Sequence, residues 1–238
     1  MIQDRSAVGL ISKKDLFFFA LFVALFLLVF REFFFTNSVF FERDTTVVEV
    51  PVKKLTVQLL KEGNFALWTD AHGNGQPFLA NPKNAVFYPT TWLYLILPLF
   101  TAFKLHYFIH VILGWLGLYV LCGSYSLSKK ASFLGASLFA FSGMYLSSFE
   151  FYNHIAALAW MPWVLWLLHR DVRPGRARIV PLALLWALMI LAGAPEFILM
   201  TLFLAAGQAF FTAGAWKKKV GLMILSLLLA SMISAAQL

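Results

Sequence analysis

Carboxylates and imidazoles at short spacings are the side chains in this sequence that could do chemistry. Glu42 and Asp44 flank Arg43 directly after a strongly apolar stretch, so both carboxylates can sit at a bilayer surface beside a lipid headgroup. Asp70 and His72 lie two apart in the run Trp68-Thr69-Asp70-Ala71-His72-Gly73-Asn74-Gly75-Gln76-Pro77. Glu150 and His154 share an i, i+4 spacing, Glu196 follows Pro195, and His106 and His110 share one helix face. An enzyme built from these groups would use carboxylates near the membrane and a lipid-borne substrate. No phosphate-cradling Gly-Lys-Ser/Thr loop, Gly-x-Ser-x-Gly elbow, His-Glu-x-x-His or cysteine-rich metal pattern occurs.

The same residues fit plainer roles. Asp44 is equally a solvated acid or the partner of Arg43. Asp70 and His72 suit a turn, and two ligands fall short of the three or four that zinc uses. Glu150 and His154 read as a surface pair, and His106 and His110 as interfacial or packing residues. Glu196 suits a helix N-terminus, where the dipole favours a negative charge.

Composition says what must position them. The chain has 238 residues, 61% apolar and 13% charged, with 26 phenylalanines. A soluble domain has about twice that charge. The single cysteine, Cys122, cannot form an intrachain disulfide. The net charge of +8 does not point to nucleic acid, because the basic residues fall in short clusters between apolar runs. That is how a polytopic membrane protein keeps its cytoplasmic loops.

Seven runs are apolar enough for spanning helices: Leu16–Phe35, Lys104–Cys122, Ala131–Ser148, Ile155–His169, Ile179–Ala194, Glu196–Ala213 and Val220–Leu238. With the N-terminus inside, seven crossings put Arg5, Lys13 and Lys14, then Lys129 and Lys130, then Arg170, Arg173, Arg176 and Arg178, then Lys217, Lys218 and Lys219 in the cytoplasm. The other seven basic residues lie between Arg31 and Lys104, in a long translocated loop that obeys the charge rule weakly. Thr90–Ala102 is apolar but short. It reads as a re-entrant or interfacial segment, or as an outer extension of the second helix. The expected architecture is all-α: one transmembrane domain over 1–238, with a first extracytoplasmic loop over 36–103. Because the sequence stops inside an apolar run, it reads as the N-terminal part of a longer protein.

Eight of the eleven carboxylates then fall outside or at the outer boundary: Glu32, Glu42, Asp44, Glu49, Glu62, Asp70, Glu150 and Glu196. Helix interiors carry none, which argues against an ion-coupled transporter. In the loop, Pro51–Glu62 predicts an amphipathic helix lying on the membrane. Val52, Leu55, Leu59 and Leu60 form its apolar stripe, with Lys53, Lys54 and Lys61 off that stripe. Gly73, Asn74 and Gly75 permit tight turns and close approach of backbone to a ligand. Trp68, Phe87 and Tyr88 suit the water–lipid interface, and their faces suit sugars. Trp160-Met161-Pro162-Trp163 reads as part of an aromatic, kinked spanning helix.

Taken together, several pieces resemble the YfhO-like bacterial membrane proteins, which look like members of the GT-C superfamily of glycosyltransferases. They are Asp44 after the first helix, Leu67-Trp68 before Gly73-Asn74-Gly75-Gln76-Pro77, and Asn81-Pro82 leading to Phe87-Tyr88-Pro89. Ser142-Gly143, Ala159-Trp160-Met161-Pro162 and Ala192-Gly193-Ala194-Pro195-Glu196 complete the pattern. The match runs from about residue 16 to the end. It departs from the family at Ala194, where a His-like residue is common, and in being shorter.

The resemblance implies a bacterial plasma-membrane enzyme that takes a sugar from a polyprenyl-phosphate carrier and passes it to a cell-envelope acceptor on the outer face. The family's acid maps onto Asp44, as general base on the acceptor hydroxyl or as a group positioning a divalent cation, with Glu42 as a second carboxylate. Arg43, Lys53 and Lys54 are candidates to neutralise the leaving phosphate. Trp68, Asp70, His72, Gly73, Gly75, Tyr88, Glu150, His154 and Glu196 complete the candidate substrate-binding set. Two other readings of the same residues stay open: a lipid-linked saccharide flippase or transporter, and a non-catalytic cell-envelope scaffold.

Overall fold

The computed structural model describes residues 12–36, 45–63, 67–70, 74–169, 176–211 and 216–237. Glu42, Arg43, Asp44, His72 and Gly73 lie outside them. The described chain is mostly helical. Each of the seven apolar runs holds a helix among its described residues, and three of the helices depart most from the expected boundaries.

The first run breaks at Phe30 into α1 (Lys13–Val29) and α2 (Arg31–Phe35). The second begins earlier than expected, because Pro98 opens the helix at Leu99 to give α4 (Leu99–Ser124). The third splits into α5 (Lys129–Ala140) and α6 (Gly143–Ser147), because Ser142 turns out of the helix and caps a new one through Tyr145. The rest are α7 (Tyr152–His169, with Pro162 inside), α8 (Ile179–Ala192), α9 (Pro195–Phe210) and α10 (Trp216–Ile233). Among the described residues, α4 and the stretch Lys129–Glu150 are long and apolar enough to cross a membrane, and α8 and α9 are shorter apolar helices. Large apolar side chains such as Leu28, Leu138, Phe203 and Met232 stand exposed on the outside of the bundle.

α4 is the central helix. Phe22 of α1 stacks on its Trp115, with ring centroids 4.8 Å apart. Gly114 and Gly117 leave room for Tyr145 and Trp163 to lie directly on the α4 backbone. The Trp163 indole donates to the Leu113 carbonyl at 2.9 Å.

The helix ends gather in two sets. At the basic end, Lys129 at the start of α5 pairs with Asp15 at the start of α1 (2.7 Å), and Tyr119 donates to the same carboxylate. His169 meets the Ser124 carbonyl there, and Gln208 donates to the Tyr125 hydroxyl. At the opposite end, Lys104 donates to the Thr36 carbonyl, Asn153 donates to the Gly193 carbonyl, and His154 pairs with Glu196.

The segment from Thr45 to Leu97 folds over this second end. It consists of a π-type turn (Thr45–Glu49), α3 (Val50–Lys61, with proline in its first turn), and a short antiparallel ribbon of β1 (Trp68–Thr69) and β2 (Gln76–Pro77). Two 3-10 turns follow, Pro82–Asn84 and Pro89–Leu95. The apolar run over 90–102 is therefore part 3-10 turn and part start of α4. The apolar stripe of α3 does not face outward, as a helix lying on a membrane would need. Val52, Leu55, Leu59 and Leu60 pack around Phe78 and Val86 of the same segment.

Candidate functional site

Where this segment meets the helix ends, it is held by a buried polar cluster. Beside its apolar face α3 carries a second inward stripe, Lys53 and Thr56, continued by Glu49 just ahead of the helix, and all three are buried. Lys53 does lie off the apolar stripe, but it is buried and not open to a leaving phosphate. Its ammonium donates to the Asn84 carbonyl at 2.8 Å and lies 4.3 Å from the centre of the Tyr152 ring. A buried ammonium needs such partners, and a carbonyl plus an aromatic face supply them. Burial pushes Lys53 down to about 8, against the nearby Glu49 carboxylate, which raises it. Asn84 is held in turn by its amide bond to the Phe78 carbonyl (2.7 Å).

His106 and His110 are fully buried on one face of α4, with ring centroids 4.2 Å apart. His106 stacks on Tyr152 at 3.5 Å. Carbonyl oxygens only accept, so the hydrogen bonds assign the tautomers. Nε2–H of His106 donates to the Tyr152 carbonyl (3.0 Å), and its Nδ1 accepts from the Thr90 hydroxyl (2.7 Å). Nδ1–H of His110 donates to the His106 carbonyl (2.6 Å), and its Nε2 accepts from the Tyr88 hydroxyl (2.6 Å). Trp160 Nε1–H donates to that same hydroxyl at 2.8 Å. Burial pushes the Tyr88 phenol well above its ordinary range, against the lowering effect of the Trp160 hydrogen bond. Tyr88 thus sits inside, not at an interface with lipid.

All four imidazole nitrogens are engaged, so this cluster fastens the loop segment and leaves no ring nitrogen free for a substrate. Tyr145 and Tyr107 tie the same face of α4 to its neighbours, donating to the His110 and Phe149 carbonyls at 2.8 and 2.9 Å. The sequence puts the two histidines on one face and reads them as interfacial or packing residues, which misses their hydrogen bonds to the loop segment. The available signal was a polar pair at i, i+4 inside an apolar run, with Tyr88 and Thr90 just upstream.

Three further contacts complete the anchoring. Thr45 is buried and donates to the Glu150 carbonyl at 3.1 Å, so the chain leaving Asp44 is fixed at the junction before α7. Gly193, at φ +80°, ends α8 in the left-handed conformation, and the Pro82 carbonyl lies where its side chain would be. His154 pairs with Glu196 at 2.6 Å and not with Glu150, because Glu196 in the first turn of α9 stands across from it.

The exposed part of the site is the ribbon. Gly75 has φ +92°, and a Cβ there would meet the Trp68 indole at 2.5 Å. The indole donates to Asp70 at 2.8 Å and is 55% exposed, an aromatic face open to a ligand. Lys54 is also exposed. Among the described residues, no three His, Cys, Asp or Glu side chains gather in a metal-binding group. No family model, curated protein or solved structure matches this chain.

Proposed function

We propose that the chain is a multi-pass protein of the bacterial plasma membrane, with seven crossings and a cytoplasmic N-terminus. On this reading it transfers a sugar from a polyprenyl-phosphate carrier to a cell-envelope acceptor on the outer face. The single observation that carries the reading is the anchored segment. Thr45, the residue that follows Glu42-Arg43-Asp44 in the sequence, is pinned to the Glu150 carbonyl at the helix ends. Trp68 and Asp70 present an open aromatic and acidic surface on the same folded segment. Seven crossings are supported by the start of α1 and the start of α5 sharing one end, through Asp15 and Lys129. One more crossing between them would put those ends on opposite sides.

In the proposed reaction the Asp44 carboxylate takes the proton of the acceptor hydroxyl as its oxygen attacks the anomeric carbon. The bond from that carbon to the carrier phosphate breaks, and the phosphate leaves with the electron pair. Arg43 and Lys54 neutralise it. Lys53 drops out of that role because its ammonium is already enclosed by Asn84 and Tyr152. Glu42 serves as a second carboxylate, and the pair offers a place for a divalent cation.

The test is Asp44→Asn, which keeps size and removes the base. Transfer from a polyprenyl-phosphate sugar should fall roughly 10²–10⁴-fold, with expression and melting unchanged. Near wild-type transfer would reject the assignment and leave the flippase or scaffold in its place.

A further inference from the structure

His154 differs from the two buried histidines of α4. It stands in the first turn of α7, and Glu196 in the first turn of α9 holds its Nε2 at 2.6 Å. An ionised carboxylate only accepts, so Nε2 bears the proton and Nδ1 keeps its lone pair. Among the described residues nothing donates to that nitrogen, and the side chain is 24% exposed. Burial lowers the pKa of this ring below the ordinary histidine value, against Glu196, which raises it; Lys83 lowers it further. The ring is therefore mostly neutral at pH 7, with its lone pair available.

Backbone contacts set what meets it. Asn153, beside His154, donates to the Gly193 carbonyl, and the Pro82 carbonyl packs on Gly193. The turn Pro82–Asn84 thus sits by the junction of α8 and α9, which brings the charge of Lys83 to bear on the His154 ring. The Lys83 amide is capped by the Asn81 side chain, and its exposed ammonium has no carboxylate partner among the described residues. A lone pair and an ammonium together ask for a ligand group that both donates and accepts. A hydroxyl does both, whereas an ammonium only donates and a carboxylate only accepts. Phe151 and Phe197, with ring centroids 4.5 and 5.3 Å from the imidazole, border it with apolar surface. A few placed polar groups between aromatic rings suit the C–H faces and hydroxyls of a sugar.

We propose that His154 and Lys83 form a binding site for a neutral sugar ring. One hydroxyl donates to His154 Nδ1, and a hydroxyl oxygen, its own or its neighbour's on the ring, accepts from Lys83. The use of this site in a reaction rests on the sugar-transfer reading; the binding does not.

The experiment uses the whole chain purified in a neutral detergent that carries no sugar. Histidines are ethoxyformylated with diethyl pyrocarbonate at pH 7 and located by mass spectrometry of peptides. The reagent needs an open, unprotonated ring nitrogen, so His154 should react while His106 and His110, with every nitrogen engaged, should not. Methyl glucoside should slow the reaction at His154. Cyclohexanol, with one hydroxyl on a ring of similar size, should not. Lys83→Met removes one of the two hydrogen bonds and leaves the backbone cap on Asn81 intact, so half-protection should need roughly tenfold more glucoside.

An unreactive His154 would overturn the proposal, because Nδ1 would then not be open to a ligand. Reaction without protection by the glucoside would also overturn it and leave His154 and Glu196 as a tie between α7 and α9. Equal protection by cyclohexanol, or protection by the glucoside unchanged in Lys83→Met, would take the sugar hydroxyls out of the site with the same result. No carrier lipid enters this measurement. Failure of the sugar-transfer reading would instead appear in the Asp44→Asn assay, which leaves His154 and Lys83 untouched.

Discussion

Gly193→Ala puts the docking of the loop segment to a direct test. Gly193 ends α8 at φ +80°, donates its amide to the Ile190 carbonyl and accepts from Asn153 at 2.8 Å. A Cβ built there lies 2.1 Å from the Pro82 carbonyl oxygen and 2.4 Å from its carbon, both backbone atoms with no rotamer to yield. The left-handed conformation alone costs a non-glycine residue roughly 1–2 kcal/mol. Forcing an extra carbon into a packed contact costs typically 1–3 kcal/mol more. The expected loss is therefore about 2–5 kcal/mol, and for a chain of this size a fall in Tm of roughly 5–15 °C. The assay is thermal unfolding of the detergent-purified protein, with limited proteolysis between residues 62 and 82 as a local probe. Gly207→Ala is the control. It lies inside α9 with open space around it, so removing a helical glycine there should leave stability equal or raise it by about 0.5–1 kcal/mol. If Gly193→Ala melts within about 0.5 kcal/mol of the parent and its loop is cut no faster, the turn does not bear on Pro82. The anchored-segment argument would then fail.

Other outcomes follow from the same contacts. Lys53 is held at about 8 in the folded chain against 10.5 ordinarily, so between those values the unfolded chain binds more protons and stability rises with pH. The rise is up to about 3 kcal/mol, and comparing denaturation of the parent with Lys53→Met from pH 7 to 10.5 should show it vanish in the variant; parallel curves would place Lys53 in water. On the proposed reaction, Gly75→Val should drive the side chain into the Trp68 indole and reduce sugar transfer while insertion and bundle melting stay normal; unchanged transfer would make the ribbon a mere connector. Single cysteines at Asn74 and Gly175, in a Cys122→Ser background, should react with an impermeant reagent from outside at 74 and not at 175. Reversed or equal reaction would refute the seven-crossing orientation.

The helices were legible in the sequence because their signal is local. Each apolar run holds a helix, but the caps that set the bounds were not read from it: Ser142 lies inside the third run and splits it, and Ser12 and Ser128 start helices a few residues ahead of the runs. The positive φ at Gly75 was legible for the same reason. Lys53 was not, because α3 uses two inward faces. The stripe of Val52, Leu55, Leu59 and Leu60 was read correctly as apolar, but it packs on Phe78 and Val86, and only the tertiary fold turns the Glu49, Lys53 and Thr56 stripe toward Tyr152. The partner of His154 was hidden in the same way, since Glu196 reaches it from another helix. Periodicity reports which residues share a face, not what that face meets.

That distinction explains why the loop segment is fastened by polar groups. Apolar side chains gain little from choosing a neighbouring helix over a lipid tail, so in a membrane they hold helices together without fixing what sits on their ends. Directed bonds can. The Tyr88 hydroxyl, between the His110 ring and the Trp160 indole, permits one seat for the turn before α4, and the Thr90 bond to His106 sets its rotation. Thr45 does the same for the opposite end of the segment. On the proposed reaction, such a seat is what a base on an adjoining stretch requires, since a misplacement of about 1 Å can cost 10²-fold in rate. His106 and His110 would then act on sugar transfer through position alone. On that reading they would be positioning residues that touch no substrate, and the loop segment they hold would be the lever through which they act.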